Sequence, residues 1–161
     1  MQKTEPDILG LPGIEEALRD RLVADLNQNL ANLSDLAAAY KQAHWNVIGA
    51  DFAQLHALFD QFTVQVREHM DVIAERAVAL GGAAHGTLHA AAEHSVLRPF
   101  PVDERSQRRL LEELVSRINK VDMSLRQAMN ACGEELASQD VYIEVVRGIE
   151  KQRWMLQAHL A

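Results

Sequence analysis

Cysteine is almost missing from this sequence. Cys132 is the single thiol in 161 residues, so no intramolecular disulfide can form, and a reducing compartment, the cytoplasm, is expected. Long apolar runs are missing too: no stretch approaches the roughly 18 apolar residues that suggest a membrane span. The opening run MQKTEPDILGLPG has acidic residues and two prolines where a secretory signal needs a basic region followed by an apolar one. No export signal is visible in it. Positive charge is scarce as well, with 16 Lys plus Arg against 23 Asp plus Glu and a formal net charge of −7. That balance is a poor match for nucleic acid or an anionic membrane and makes cations the more natural partners.

Repeats, low-complexity tracts and interdomain linkers are also lacking. What is present is 48% hydrophobic residues in a chain of single-domain length, enough for a sizeable core. The expected organisation is a short tail, 1–12, and one domain, 13–161.

The apolar residues recur in helical steps. Leu18, Leu22, Leu26, Leu30, Leu33, Leu36 and Tyr40 are spaced by three and four, which predicts a helix over roughly 14–46 with Pro12, Glu15 and Glu16 in its first turn. Asn46 to Gly49 should stop it. Asp51 is the predicted cap of a second helix carrying Phe52, Leu55, Phe59, Phe62, Val66, Ile73, Ala77 and Leu80, which ends at Gly81/Gly82. Residues 82–102 are too long for a tight turn and can hold a short helix around Thr87–Glu93. A third long helix is expected from near Asp103, through Leu111, Leu114, Ile118, Val121, Leu125, Ala128 and Cys132, to Gly133, with Cys132 as a packed thiol. A fourth is expected to be capped by Ser138, to use Val141, Val145, Ile149 and Leu156, and to run to the chain end, with Trp154 in the core or an interface. Four amphipathic helices with one long central connection fit an all-α, ferritin-like four-helix bundle.

One stripe breaks the apolar pattern. His56, Asp60, Asp71 and Glu75 of the second helix fall within about 100° of one another at 100° per residue, and His44 lies at the end of the first helix. Acids and a histidine on a face so close to the bundle call for a counter-charge, an interface or a metal. His56 with Asp60 can hold one cation, and Asp71 with Glu75 another. The pairs cannot meet within one helix, because the rise from Asp60 to Asp71 is roughly 16 Å against metal–ligand bonds of about 2 Å. Both pairs are symmetric about a point between residues 65 and 66, however, so an antiparallel two-fold dimer would set each against the other and create two identical sites. Two imidazoles and three carboxylates suit Fe(II), Mn(II) or Zn(II). The competing reading is an ordinary salt-bridged face using Arg67 and Arg76.

At these residues the sequence resembles the Dps family of ferritin-like proteins. The run KQAHWNVIGADFAQLHALFD, residues 41–60, is similar to its first signature, K-x-x-H-W-N-x-x-G-x-x-F-x-x-x-H-x-x-x-D. The run DVIAERAVALGG, residues 71–82, is similar to its second. The resemblance implies a hollow dodecamer in the bacterial cytoplasm or nucleoid that oxidises Fe(II), preferably with hydrogen peroxide, and stores the ferric product. It assigns His44, His56 and Asp60 of one subunit, with Asp71 and Glu75 of the partner subunit, as ferroxidase ligands, with zinc as a possible substitute for iron. Trp45 resembles the aromatic residue beside that site, with plain packing as its alternative. Asp140, near Glu134 and Glu135, resembles the acidic lining of iron-entry pores; the alternative is helix N-terminal electrostatics. His69, His85, His89, His94 and His159 lack ligand spacing and read as surface or packed histidines. The intra-bundle Glu-x-x-His motif is absent, which disfavours a site within one bundle. The chain departs from DNA-binding members in its tail, where only Lys3, beside Glu5 and Asp7, precedes Arg19, so direct DNA binding is in doubt. A nucleoid-structuring DNA binder and an interaction protein with a zinc-filled site are the alternatives.

Overall fold

The computed structural model describes residues 11–161; the acidic tail residues and Lys3 lie outside the described range. Within it the elements are α1 (Glu16–Asn46), α2 (Phe52–Ala79), α3 (Leu88–His94), α4 (Gln107–Ala131) and α5 (Leu136–Ala158). The only bridge among the described residues is an isolated parallel one between Ile48 and Ser106.

Packing closes the four long helices into a ring. α1 lies against α2 and α4, and α5 lies against α2 and α4, which leaves α2 and α4 on a diagonal. Leu22, Leu26, Leu33 and Leu36 of α1, Leu55, Phe59, Phe62 and Ile73 of α2, Leu114, Ile118 and Leu125 of α4, and Val145 and Ile149 of α5 are buried between them. These are the residues at steps of three and four, so the helical period places the core. Asp51 at the start of α2 touches Gln107 at the start of α4. The two diagonal helices therefore begin at the same end and run parallel, and the connection from 80 to 106 must travel the length of the bundle. This is the crossover arrangement expected of a ferritin-like bundle. Cys132 is fully buried, its thiol against the Ala128 carbonyl at 3.3 Å, and desolvation pushes its pKa up to about 11.

Helix ends differ from the sequence expectations, and each difference has a local cause. α1 begins at Glu16, so Pro12 and Glu15 precede the helix. Asp51 stands at the α2 N-cap but makes no side-chain cap; its carboxylate accepts instead from Gln107 Nε2 at 2.8 Å. α4 begins at Gln107 rather than near Asp103, because Glu104 already accepts the Arg105 and Ser106 N–H groups, at 2.9 and 2.8 Å. The cap of α5 is Glu135, not Ser138: its carboxylate accepts the Ser138 N–H at 2.8 Å, and Ser138 is buried in the first turn. The α2 stop was read correctly. Gly81, at φ 89°, allows N–H bonds from Gly81 to Val78 and from Gly82 to Ala77, a left-handed helix end that favours glycine. Phe52, on the expected apolar face, is 48% exposed; Trp154, expected in the core or an interface, is 66% exposed and so is not core.

The long connection is tied down by a polar cluster. Thr87 caps α3 by accepting the Ala90 N–H, Gln28 donates to the His94 carbonyl, and Asn32 accepts the Val96 N–H. At its centre Arg117 of α4, only 2% exposed, donates to Glu113 at 3.0 Å, to Asp35 at 3.4 Å and to the Arg98 carbonyl. Its guanidinium also sits 4.9 Å from the Phe100 ring centre. Removing one partner of a buried charge cluster costs far more than losing an exposed pair. Arg117→Ala is expected to lower stability by about 3 kcal/mol, measured by urea unfolding at fixed protein concentration. A loss below about 1 kcal/mol, the scale of a surface ion pair, would show that the cluster is not a structural tie.

Candidate metal site

The last turn of α1 and the second turn of α2 bring His44 and His56 together across the short turn between them. Their rings stack with centroids 3.7 Å apart and planes 21° from parallel. Each Nδ1 lies on the other residue's backbone carbonyl, His44 on His56 O at 2.7 Å and His56 on His44 O at 2.9 Å. A carbonyl oxygen only accepts, so both Nδ1 atoms carry the proton and donate it. In the neutral rings both Nε2 atoms are then bare lone pairs, the state in which imidazole binds a metal. Phe52 packs its ring 5.2 Å from that of His56.

Asp60 follows one helical turn after His56 and is exposed. Its Oδ1 accepts from Lys41 Nζ at 2.6 Å, and this hydrogen bond, against the opposing pull of desolvation, holds its carboxyl below the usual carboxylate range. Lys41 also lies 5.7 Å from the ring centre of Trp45, whose indole is 67% exposed. Trp45 therefore does not serve as protomer core. Lys41 belongs to the same sequence run as both histidines, yet sequence reasoning gave it no role; its position one turn before His44 was the available signal.

Asp71 and Glu75 lie further along the same exposed stripe of α2. Arg76, the salt-bridge partner offered by the competing reading, turns away to Glu135 at 2.9 Å and to Ser138 at 2.9 Å. Among the described residues Asp71, Glu75 and Arg67 form no ion pair. Nor does any group of three or more His, Cys, Asp or Glu among them come close enough to hold a metal. The helix rise alone keeps Asp60 and Asp71 about 16 Å apart along α2. One chain thus carries two separated half-sets of donors.

The acids near the start of α5 divide in the same way. Desolvation pushes Glu135 up, but hydrogen bonds from Ser138 and Arg76 outweigh it and leave its carboxyl below the usual range. Glu134 and Asp140 are exposed. His69 is half-buried against Gly148 of α5, and burial lowers its pKa against the pull of Glu144 and Glu68. His85 and His94 line a groove of about 600 Å³ with Arg19, Asp20 and Asn27; none of the five candidate ligands belongs to it.

A family model described as a ferritin-like domain matches residues 23–161. A curated relative, the DNA protection during starvation protein of Agrobacterium fabrum, is 35% identical over 144 residues, covering 88% of this chain and 89% of the relative. The chain belongs to the Dps family of ferritin-like proteins. Solved Dps structures agree with it in shape. Mycobacterium smegmatis Dps has a TM-score of 0.90 at 28% identity, over 94% of this chain and 93% of that one. DpsA14 from Streptomyces coelicolor has a TM-score of 0.90 at 32% identity, over 95% and 92%. Membership of the Dps family means, in general terms, iron storage and DNA protection. No described helix is long and apolar enough to cross a membrane.

Because the Lys41 ammonium is the main cause of the low Asp60 pKa, Lys41→Met should move protonation of Asp60 to higher pH, towards the ordinary aspartate value of about 3.9. Site-resolved carboxyl NMR, with Asp60→Asn to assign the signal, measures it. An unmoved titration would show that Lys41 does not set the charge of Asp60.

Proposed function

We propose that this protein is a ferroxidase and iron store whose sites are completed only when two copies meet about a two-fold axis. His44, His56 and Asp60 come from one subunit, and Asp71 and Glu75 from the partner subunit. The observation that carries the reading is the reciprocal histidine pair, which leaves two bare Nε2 atoms beside a carboxylate in a half-set of donors. Its complement, Asp71 and Glu75, stands exposed on the same helix with no partner among the described residues. Val64, 53% exposed in the middle of that face, lies next to the position the axis would take, where burying it against a second copy would favour the pairing.

The donor set fits the substrate. Nitrogen and carboxylate oxygen donors bind Fe(II), and carboxylates favour the more highly charged Fe(III) that forms from it. Two irons at one site can supply the two electrons that one hydrogen peroxide needs to become two waters, which avoids releasing hydroxyl radical. The protein contributes position and negative charge. Lys41 holds Oδ1 of Asp60 while no cation is present, and a cation would bind that carboxylate against the nearby ammonium. Zinc suits the same donors and can occupy them in place of iron.

In the fuller reading twelve copies enclose a store for Fe(III), in the cytoplasm, and Asp140 with Glu134 offers the exposed acids of an iron-entry pore. Glu135 is engaged by Arg76 and contributes less. Protection of DNA then follows from removing Fe(II) and peroxide rather than from contact. Twelve copies at −7 each form a strongly acidic shell, whereas DNA affinity depends on neutralising phosphates. A low-salt gel shift with retarded DNA would favour the nucleoid-binding alternative; no shift is expected.

Asp60→Ala should abolish most peroxide-driven Fe(II) oxidation, and wild-type rates in that variant would remove the assignment. A sharper test separates a shared site from one within a chain. Prepare one variant lacking His56 and Asp60 and another lacking Asp71 and Glu75, each inactive alone, then unfold and reassemble them together. In a mixed dimer one site collects all the substitutions and the other is intact, so roughly half the activity per dimer should return. Mixed dimers confirmed by mass spectrometry that stay inactive would refute the shared site.

A further inference from the structure

The turn between α1 and α2, residues 47–51, has His44 just before it and His56 just after it. Its geometry therefore sets how the two rings meet. It is not held by its own residues alone. Ile48 N–H donates to the Arg105 carbonyl at 2.9 Å, and Gln107 N–H donates back to the Ile48 carbonyl at 3.3 Å. The Gln107 side chain then grips Asp51 from both ends of its carboxamide: Nε2 donates to Asp51 Oδ2 at 2.8 Å, and Oε1 accepts the Asp51 N–H at 3.1 Å. Gly49 makes room for it. A Cβ at residue 49 would lie 2.2 Å from Gln107 Oε1, so only glycine lets the amide approach this closely.

We propose that Gln107 is a positioning residue for the paired histidines, its two-ended clamp on Asp51 fixing the α1–α2 turn where His44 and His56 exchange their Nδ1 bonds and leave both Nε2 atoms bare. The inference rests on the reading that those nitrogens hold iron. The physical case is one of tolerance. Hydrogen bonds of 2.7 and 2.9 Å weaken steeply when stretched or bent, and each depends on the start of α2 keeping its place against the end of α1. If α2 drifts, the Nδ1 protons lose their acceptors, and nothing then selects the tautomer or the ring angle. Neither a glutamate nor an alanine at 107 can do the same work. Glutamate would set a carboxylate against that of Asp51 and lose the donor; alanine loses both bonds.

Co(II) is a suitable probe, because its visible absorption reports ligand number and geometry as well as occupancy. Binding to the assembled protein is followed by absorption and calorimetry for wild type, Gln107→Ala, Gln107→Glu, the pair Gln107→Glu with Asp51→Asn, and Thr87→Ala. The last removes the α3 cap, away from the turn, and controls for a general loss of stability. Gln107→Ala and Gln107→Glu should each weaken Co(II) binding by about 10- to 100-fold, the usual effect of losing a group that orients a ligand, and alter the spectrum. Thr87→Ala should change neither. In the swapped pair the amide at 51 donates to the carboxylate at 107, and wild-type affinity and spectrum should return. Should Gln107→Ala fail to assemble, Gln107→Asn, which keeps both groups but shortens their reach, replaces it with the same expected loss. Wild-type affinity in these single variants, or a swapped pair that assembles without recovering, overturns the inference. Absence of Co(II) binding in wild type, judged against His56→Ala, would instead remove the metal reading beneath it.

Discussion

An imidazole has two nitrogens, and a metal ligand can use only one of them. The other must be held by something that fixes both the proton and the ring angle. Here each histidine of the pair sets its Nδ1 on its neighbour's backbone carbonyl, so His44 and His56 orient one another. This economy has a structural consequence. The carbonyls belong to the last turn of α1 and the second turn of α2, so the ring angles are only as well defined as the angle between those helices. The extensive packing of α1 on α2, and the hold on the turn that joins them, therefore bear directly on how the two rings are held.

A second constraint is the straightness of the helix. Donors placed along one face of α2 at 56, 60, 71 and 75 cannot converge on a single ion, because the rise is fixed at about 1.5 Å per residue. Two carboxylates are thus left in water on each chain, and a lysine stands on a third. Such an arrangement is what the proposed two-fold pairing would use. Lys41 occupies one oxygen of Asp60, Oδ1. Its ammonium would limit the repulsion that the proposed pairing creates by gathering acids beside Asp60.

Helix existence and the core were legible because burial follows a period of three to four, as Leu22, Leu26, Leu33 and Leu36 illustrate. The polar stripe of His56, Asp60, Asp71 and Glu75 was legible for the opposite reason, since these residues interrupt that period on one face. Helix starts were less so. Asp51 and Ser138 have the right residue types for caps, but Asp51 is taken by Gln107, 56 positions away, and Ser138 by Glu135 and Arg76. No local pattern announces a competitor as distant as Gln107 or Arg76, whereas Glu135 lies only three residues before Ser138. Periodicity also cannot tell a buried apolar position from an exposed one: Phe52, on the predicted apolar face, lies outside, and Trp154, read as core or interface, is not core. The donation of Nδ1 to carbonyls was out of reach for the same reason as Gln107: it depends on the angle at which two helices meet.

Topology links these points. The first turn of α4 reaches Asp51 only because α2 and α4 start at the same end of the bundle, which requires the connection between them to return along its length. With a short hairpin after Leu80, α4 would begin at the opposite end, and no residue of its first turn could touch the α1–α2 turn. The long connection is thus more than a spacer. It must be ordered for α4 to start in the right place, and that order comes from the carbonyl and N–H groups of residues 94–98 that Gln28, Asn32 and Arg117 bind from α1 and α4. A buried arginine holding a loop and a glutamine holding a turn are then successive links from the crossover to the two histidine rings.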